Sequence, residues 1–249
     1  MVGNCYECRQ SEKEMYNDDR CLDCEQKKRD EEKKQRDEEK LRRYNRLLED
    51  GLIRENFRAA KFNHSNPEIE SLNPEGWAKA REWPVNENLY VHGSVGTGKS
   101  YLALCVLKKA FLRDMSIAEV NARRFTKTVD RFDEGGGILD KWKNANFLLI
   151  DDIDKTDWNA SRLNALWDLL DHRLATSVDQ VPGFKGAKWF TSGVKRTIIT
   201  SNLTPKELLT LFRKHSQKDG LSNSSLADAT LDRMKPCTNI HLTGDKSNR

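Results

Sequence analysis

The sequence predicts an α/β fold, a parallel sheet flanked by helices, and three observations predict it. Strand-like and helix-like patterns alternate from Leu89 onward, the order that builds a parallel sheet with crossover helices. An octapeptide, Gly93-Ser94-Val95-Gly96-Thr97-Gly98-Lys99-Ser100, follows the apolar run Leu89-Tyr90-Val91 and leads into a helical pattern, Tyr101 to Leu112. A second apolar run, Phe147-Leu148-Leu149-Ile150, ends in the acids Asp151-Asp152. Four apolar residues in succession read as a strand covered on both faces.

The chain begins with two Cys-x-x-Cys pairs, Cys5/Cys8 and Cys21/Cys24, twelve residues apart. Such pairs can set four thiolates around Zn²⁺. This segment has few apolar residues, so metal binding would supply its folding free energy. Disulfides are the alternative, and nothing in the sequence indicates export. With Tyr6 and Arg9 beside the first pair, the module suits nucleic acid, and such modules bind proteins as readily. Cys105 and Cys237 read as structural.

From Glu25 to Asp50, 19 of 26 residues are charged, ten basic and nine acidic. Pairs such as Asp30–Lys34, Glu32–Arg36 and Glu39–Arg43 fall at i,i+4 and support a solvated helix. No apolar heptad runs through it, which argues against a coiled coil. It reads as a spacer of roughly 35 Å, with Leu41, Tyr44 and Leu48 as a stripe for docking, and Gly51 as its stop. Residues 1–25 are thus expected to be a zinc module, 26–50 a charged helical linker and 51–249 the α/β domain.

Within that domain a loop-rich, helical lead-in runs to Asn88. The strand and glycine loop follow, then a helix over 99–113. Ile117 to Asn121 reads as a strand, Arg123 to Phe132 as a helix, and Glu134-Gly135-Gly136-Gly137 as a break. The acidic strand covers 147–151. Leu163, Leu166, Trp167, Leu170 and Leu174 recur at helical spacing, so 160–175 is amphipathic. Arg196 to Asn202 reads as a buried strand with a polar end. Thr204-Pro205 is good helix-start chemistry. A helix over 225–234 and a strand over 237–242 close the chain.

The octapeptide fits G-x-x-x-x-G-K-[ST], the phosphate-binding loop of P-loop NTPases. A strand, a glycine turn and a helix N-terminus point backbone N–H groups at phosphates. Gly93, Ser94, Val95, Gly96, Thr97, Gly98, Lys99, Ser100 and Tyr101 are therefore nominated to bind ATP. Lys99 can reach the terminal phosphates, and Ser100 can put its hydroxyl on Mg²⁺. Asp151 and Asp152 sit where α/β sheets bind ligands. Asp151 is nominated to hold Mg²⁺ and Asp152 to polarise the attacking water.

Composition permits partners without naming them. The net charge is +4 and the pI about 8.6, a mild excess compatible with nucleic acid. Charged residues are 33% of the chain, and no run approaches the roughly 18 to 20 apolar residues of a membrane span. The N-terminus shows no apolar signal region, so a cytoplasmic location is expected.

The order of phosphate loop, acidic strand and strand ending in Asn202 resembles the AAA+ class. Leu149-Ile150-Asp151-Asp152-Ile153, Leu170-Asp171-His172-Arg173, Thr197-Ile198-Ile199-Thr200-Ser201-Asn202-Leu203 and Leu231-Asp232-Arg233-Met234 resemble DnaC/DnaI-type helicase loaders and the related IstB transposition helpers. So does the lead-in from Gly51 through Phe57 and Phe62 to Asn66. The resemblance covers residues 51–249. It implies that the Asn202 strand lies between the phosphate-loop strand and the acidic strand, with Asn202 as a sensor of γ-phosphate or water. It implies that Arg233 is an arginine finger reaching a neighbouring subunit, hence self-association. Arg249 lies where a second sensing arginine or a frayed terminus is expected. His172 and His92 read as structural.

Two features depart from the pattern. Many AAA+ ATPases have Glu where this chain has Asp152, and the shorter side chain slows hydrolysis without excluding it. The stretch Thr176 to Lys195 is longer than the usual turn and carries Phe184, Lys185, Lys188, Trp189 and Phe190. It can track a single strand or cap the domain as a folded loop. The resemblance implies an ATP-dependent helicase loader that binds ATP, Mg²⁺ and single-stranded DNA and delivers a replicative helicase. The alternatives are an IstB-like transposition helper and a nucleotide-gated adaptor that does not hydrolyse.

Overall fold

A computed structural model describes residues 2–3, 6–9, 13–15, 20–62, 70–71, 73–83, 87–131, 136–175, 195–217, 224–234 and 237–243. Cys5, the 176–194 stretch and Arg249 lie outside the described residues. The chain divides into two compact units, Met1–Gly51 and Leu52–Arg249.

In the first unit, strand β1 (Val2–Gly3) pairs antiparallel with β2 (Lys13–Glu14), and Met15 bridges to Cys21. Helix α1 (Leu22–Glu49) follows without interruption for 28 residues. It begins inside the second cysteine pair, earlier than the charge pattern alone suggests, and places Cys24 in its first turn. Glu25 accepts from Arg29 at 3.0 Å, and Arg42 pairs with Glu38 at 3.8 Å, both at i,i+4. Arg36 donates to the backbone carbonyl of Glu32. Gly51, at φ 64°, follows the last turn in the left-handed conformation that glycine tolerates.

The second unit is built on five parallel strands: β3 (Asn88–Gly93), β4 (Ile117–Asn121), β5 (Phe147–Asp151), β6 (Arg196–Ser201) and β7 (Cys237–Leu242). Their order is β4-β5-β6-β3-β7. Strand β6 therefore lies between the phosphate-loop strand and the acidic strand. Ile198 pairs with Leu89 on one side and Leu149 on the other. The central strands are buried on both faces, as their unbroken apolar runs require.

Helix α2 (Pro74–Glu82) packs on β7 and on α3 (Lys99–Phe111), and α3 packs against β3, β4, β5 and β6. A 3₁₀ turn, Glu55–Ala59, lays Phe57 edge-on against Phe111 at 5.8 Å. Helices α4 (Ala122–Asp130), α5 (Gly136–Asn144), α6 (Ala160–Ala175), α7 (Pro205–Gln217) and α8 (Ser224–Arg233) complete the unit. Thr204 and Glu207 exchange hydrogen bonds at the start of α7, a capping box.

Helix α5 corrects the sequence reading, which stops at the glycine break. Gly136 and Gly137 occupy the first turn of this helix. Trp142, fully buried, ties it to the core against Phe125. Its last turn is capped from a distance. Arg173, 2% exposed, donates to the carbonyls of Trp142 and Ala145 at 2.8 Å each and of Arg196 at 2.5 Å, and to Thr197 Oγ1 at 3.1 Å. It thus joins α5, the approach to β5 and the start of β6. Burial pushes its pKa down to about 9, with Arg196 adding to the effect, so it stays cationic at neutral pH.

Candidate nucleotide site and cysteine cluster

The loop between β3 and α3 owes its shape to two glycines, one with no room for a side chain and one in a left-handed backbone. A Cβ on Gly93 would stand 1.9 Å from the carbonyl oxygen of Leu242, so β7 can pair to its end only with glycine there. Gly96, at φ +88°, faces open space with nothing within 4 Å of its would-be Cβ. Thr97, buried, donates its hydroxyl to Ser94 O at 2.9 Å and closes the turn. Gly98 caps α3 and has no side chain to accept from the first N–H groups of the helix. Those donors are the ones an anion at a helix N-terminus takes.

Lys99 is buried and folds back over the loop. Its Nζ donates to Gly93 O at 2.9 Å and Ser94 O at 2.7 Å. Burial lowers its pKa, Lys155 adds to that, and Asp152, Asp154 and Asp151 oppose it. The three carboxylates thus act electrostatically on this ammonium. Val95 is exposed and Ser100 half-buried at the helix start. Tyr101 turns to the lead-in: its ring lies 6.2 Å from that of Trp77, and its hydroxyl donates to Lys61 O at 3.3 Å.

Asp151 and Asp152 close β5 with different environments. Asp151 is buried; its Oδ1 accepts from Thr200 Oγ1 at 2.6 Å and its Oδ2 from Arg54 Nη2 at 2.7 Å. Arg54 also pairs with Glu119, a buried acid on β4 whose pKa is raised by burial against the pull of Arg54. Asp152 adopts φ 55°, unusual for a side-chain-bearing residue and tolerated by Asp. Its N–H donates to Thr200 Oγ1 at 2.8 Å, and its carboxylate pairs with Lys155 at 3.1 Å.

Asn202 stands just past β6. Its backbone N–H donates to Asp154 Oδ1 at 2.9 Å and its Nδ2 to Asp154 Oδ2 at 2.7 Å. Its Oδ1 is buried with no hydrogen-bond partner among the described residues. Lys99, Asp151, Asp152 and Asn202 therefore gather at the C-terminal ends of adjacent strands β3, β5 and β6. Arg233 is held elsewhere. At the end of α8 its Nε donates to Asp171 Oδ1 at 2.6 Å, and its guanidinium lies 5.9 Å from the centre of the Trp167 ring.

Arg54 and Asp154 escape the sequence reading because their partners are remote in the chain. One signal was available, a third acid in Asp151-Asp152-Ile153-Asp154. His92 stacks on His241 at 4.7 Å, and burial lowers its pKa, which marks it as packing.

In the first unit, the ligand atoms of Cys8, Cys21 and Cys24 lie within 4.8 Å of one another, with Cys8 and Cys21 Sγ 3.9 Å apart. Four thiolates at a Zn–S distance of about 2.3 Å stand about 3.8 Å apart. The three thiols fit three corners of that tetrahedron. No helix of the described residues is long and apolar enough to cross a membrane.

No protein-family model matches the chain, and no curated protein matches it. Solved structures do. A structure of DnaI aligns with TM-score 0.56 at 18% identity, over 77% of this chain and 95% of that one. The fold, a five-stranded parallel sheet flanked by helices, is AAA+-like. A structure of the DnaC helicase loader matches with TM-score 0.50 at 13% identity, over 76% of this chain and 99% of that one. Domain III of the replication initiator DnaA from Thermotoga maritima matches with TM-score 0.51 at 18% identity, over 76% and 68%. In this AAA+-like fold β6 lies between β3 and β5.

Proposed function

We propose that the chain is an ATP-dependent helicase loader. What carries the reading is the assembly of phosphate loop, Asp151, Asp152 and Asn202 on a fold shared with DnaI and DnaC over about three-quarters of the chain. The N–H groups of Gly96 to Ser100 and the Lys99 ammonium would hold the phosphates. Lys99 then trades two carbonyl partners for an anion, which reverses the cost of its burial. Ser100 and Asp151 would hold Mg²⁺, which supplies positive charge to the terminal phosphates. Asp151 takes up that role by releasing Arg54 from its Oδ2. Asp152 would take a proton from the attacking water.

Arg233, in this reading, leaves Asp171 to reach the nucleotide of a neighbouring subunit, which makes assembly and turnover one event. The zinc module, with Cys5 as the fourth ligand, and helix α1 would grip the replicative helicase, and the AAA+ unit would bind single-stranded DNA. The location would be the cytoplasm.

The test is capture of the replicative helicase of the same source by the full chain with ATP, with Lys99→Ala and Cys21→Ser as comparisons. Wild-type capture that Cys21→Ser abolishes, together with ATP turnover above the Lys99→Ala blank on single-stranded DNA, is the expected result. Absence of capture refutes the loader, and a preference for duplex DNA then points to a transposition helper. Capture without turnover leaves a nucleotide-gated adaptor.

A further inference from the structure

We propose that Asp154 is a positioning residue that holds Asn202 with its amide oxygen toward the attacking water, so that Asn202 works as a hydrogen-bond acceptor. The proposal rests on the ATPase reading above and adds a residue and a direction to it.

Asp154 receives three donors: Ser201 Oγ at 2.9 Å, the backbone N–H of Asn202 at 2.9 Å and Asn202 Nδ2 at 2.7 Å. An ionised carboxylate only accepts. The atom of Asn202 facing it must therefore be the nitrogen. An amide's orientation is ordinarily open to a flip, and here the partner's chemistry decides it. The carboxylate is itself fixed in place. Ile153 N–H donates to Thr200 O at 3.0 Å, Asp152 N–H to Thr200 Oγ1 at 2.8 Å, and Lys155 N–H closes a turn onto Asp152 O at 2.9 Å. Trp158 Nε1 pins the same loop through Ile153 O at 2.9 Å.

With its nitrogen committed, Asn202 has one group left, its buried Oδ1, which has no donor among the described residues. A buried acceptor lacking a donor marks a place where a donor arrives. It lies at the tip of β6, flanked by the phosphate loop on β3 and by Asp151 and Asp152 on β5. An ionised phosphate oxygen has no hydrogen to give. The attacking water has two. One proton is held by Asn202 Oδ1, and the other passes to the Asp152 carboxylate. The water oxygen bonds to the γ-phosphorus as the bond to the bridging oxygen breaks, and ADP leaves with that electron pair. Loss of Asp154 frees the amide to turn its nitrogen to the same place, where a donor repels the water's protons.

The test measures kcat, KM and ATP affinity of the full chain with single-stranded DNA. Asp154→Ala is expected to lower kcat by about tenfold or more while ATP affinity stays within about twofold. Asn202→Asp sets two carboxylates face to face and should be inactive. Adding Asp154→Asn to it restores a donor–acceptor pair with the roles exchanged and keeps an acceptor oxygen at the water, so the double variant should turn over faster than Asn202→Asp alone. Equal kcat for Asp154→Ala and wild type overturns the proposal. A double variant no faster than Asn202→Asp overturns it too, because a donor role cannot be served by Asp at 202. Wild-type turnover no higher than that of Lys99→Ala refutes the ATPase reading itself and this proposal with it.

Discussion

Replacing Arg173 by Met keeps the length and removes all the donors. Two carbonyl oxygens, of Trp142 and Ala145, then lose a donor at 2.8 Å inside the fold, while that of Arg196 keeps its place in the β5–β6 ladder. The Trp142 carbonyl belongs to the last turn of α5, where no further turn of helix supplies a donor. Each orphaned buried acceptor costs about 1 to 3 kcal/mol. Thr197 can rotate its hydroxyl to a new acceptor and adds little. Relief from burying a cation works the other way and trims the total. The net expectation is a loss of about 2 to 4 kcal/mol. At a urea m-value of about 2 kcal/mol/M, the unfolding midpoint falls by about 1 to 2 M with the slope unchanged. Arg173→Lys keeps the charge and concentrates its donors on one atom, which cannot span α5 and β6 together, so it should fall between. Equilibrium urea unfolding followed by tryptophan fluorescence reads this directly. A midpoint for Arg173→Met equivalent to less than about 1 kcal/mol below wild type would refute the assignment of Arg173 as the tie between these elements.

Gly93→Ala and Gly96→Ala should separate stability from binding. The first forces a Cβ against Leu242 O and should lower the melting temperature strongly; the second meets no atom and carries only the left-handed backbone penalty of about 1 to 2 kcal/mol, with ATP affinity suffering more than stability. Equal melting losses in the two variants would contradict the close approach of β3 and β7. The thiols should also separate. Burial pushes the Cys105 thiol up to about 12, so iodoacetamide at pH 8 should spare it in the folded chain. Chelator treatment should expose Cys8, Cys21 and Cys24 to the same reagent, and peptide mass spectrometry reads each site. Labelling of Cys105 at the rate of Cys8 would contradict its place in the core.

The strand, loop and helix from Asn88 to Phe111 were legible because their signals are local: an apolar run, glycines where φ is positive, and helical spacing after Lys99. The buried strands β5 and β6 were legible for the same reason. Helix α5 was not. Its glycines read as a break, and the cap that ends it comes from Arg173, far along the chain. Site chemistry divides in the same way. Residue types at motif positions announce themselves, whereas the hold of Arg54 on Asp151 spans 97 residues and that of Asp154 on Asn202 spans 48. The pattern around Asp171 and Arg233 is visible as two separate motifs. Only the fold shows that they form one ion pair.

Parallel strands give the sheet two unlike rims. At the rim where the strands begin, one arginine knots α5 to β6. At the rim where they end stand Lys99, Asp151, Asp152, Asp154 and Asn202, on or beside loops that the knot does not touch. Anchorage and the candidate site are thereby kept at opposite poles of the same scaffold. Such a layout lets the residues of the candidate site be changed one by one while the anchored pole keeps the architecture intact.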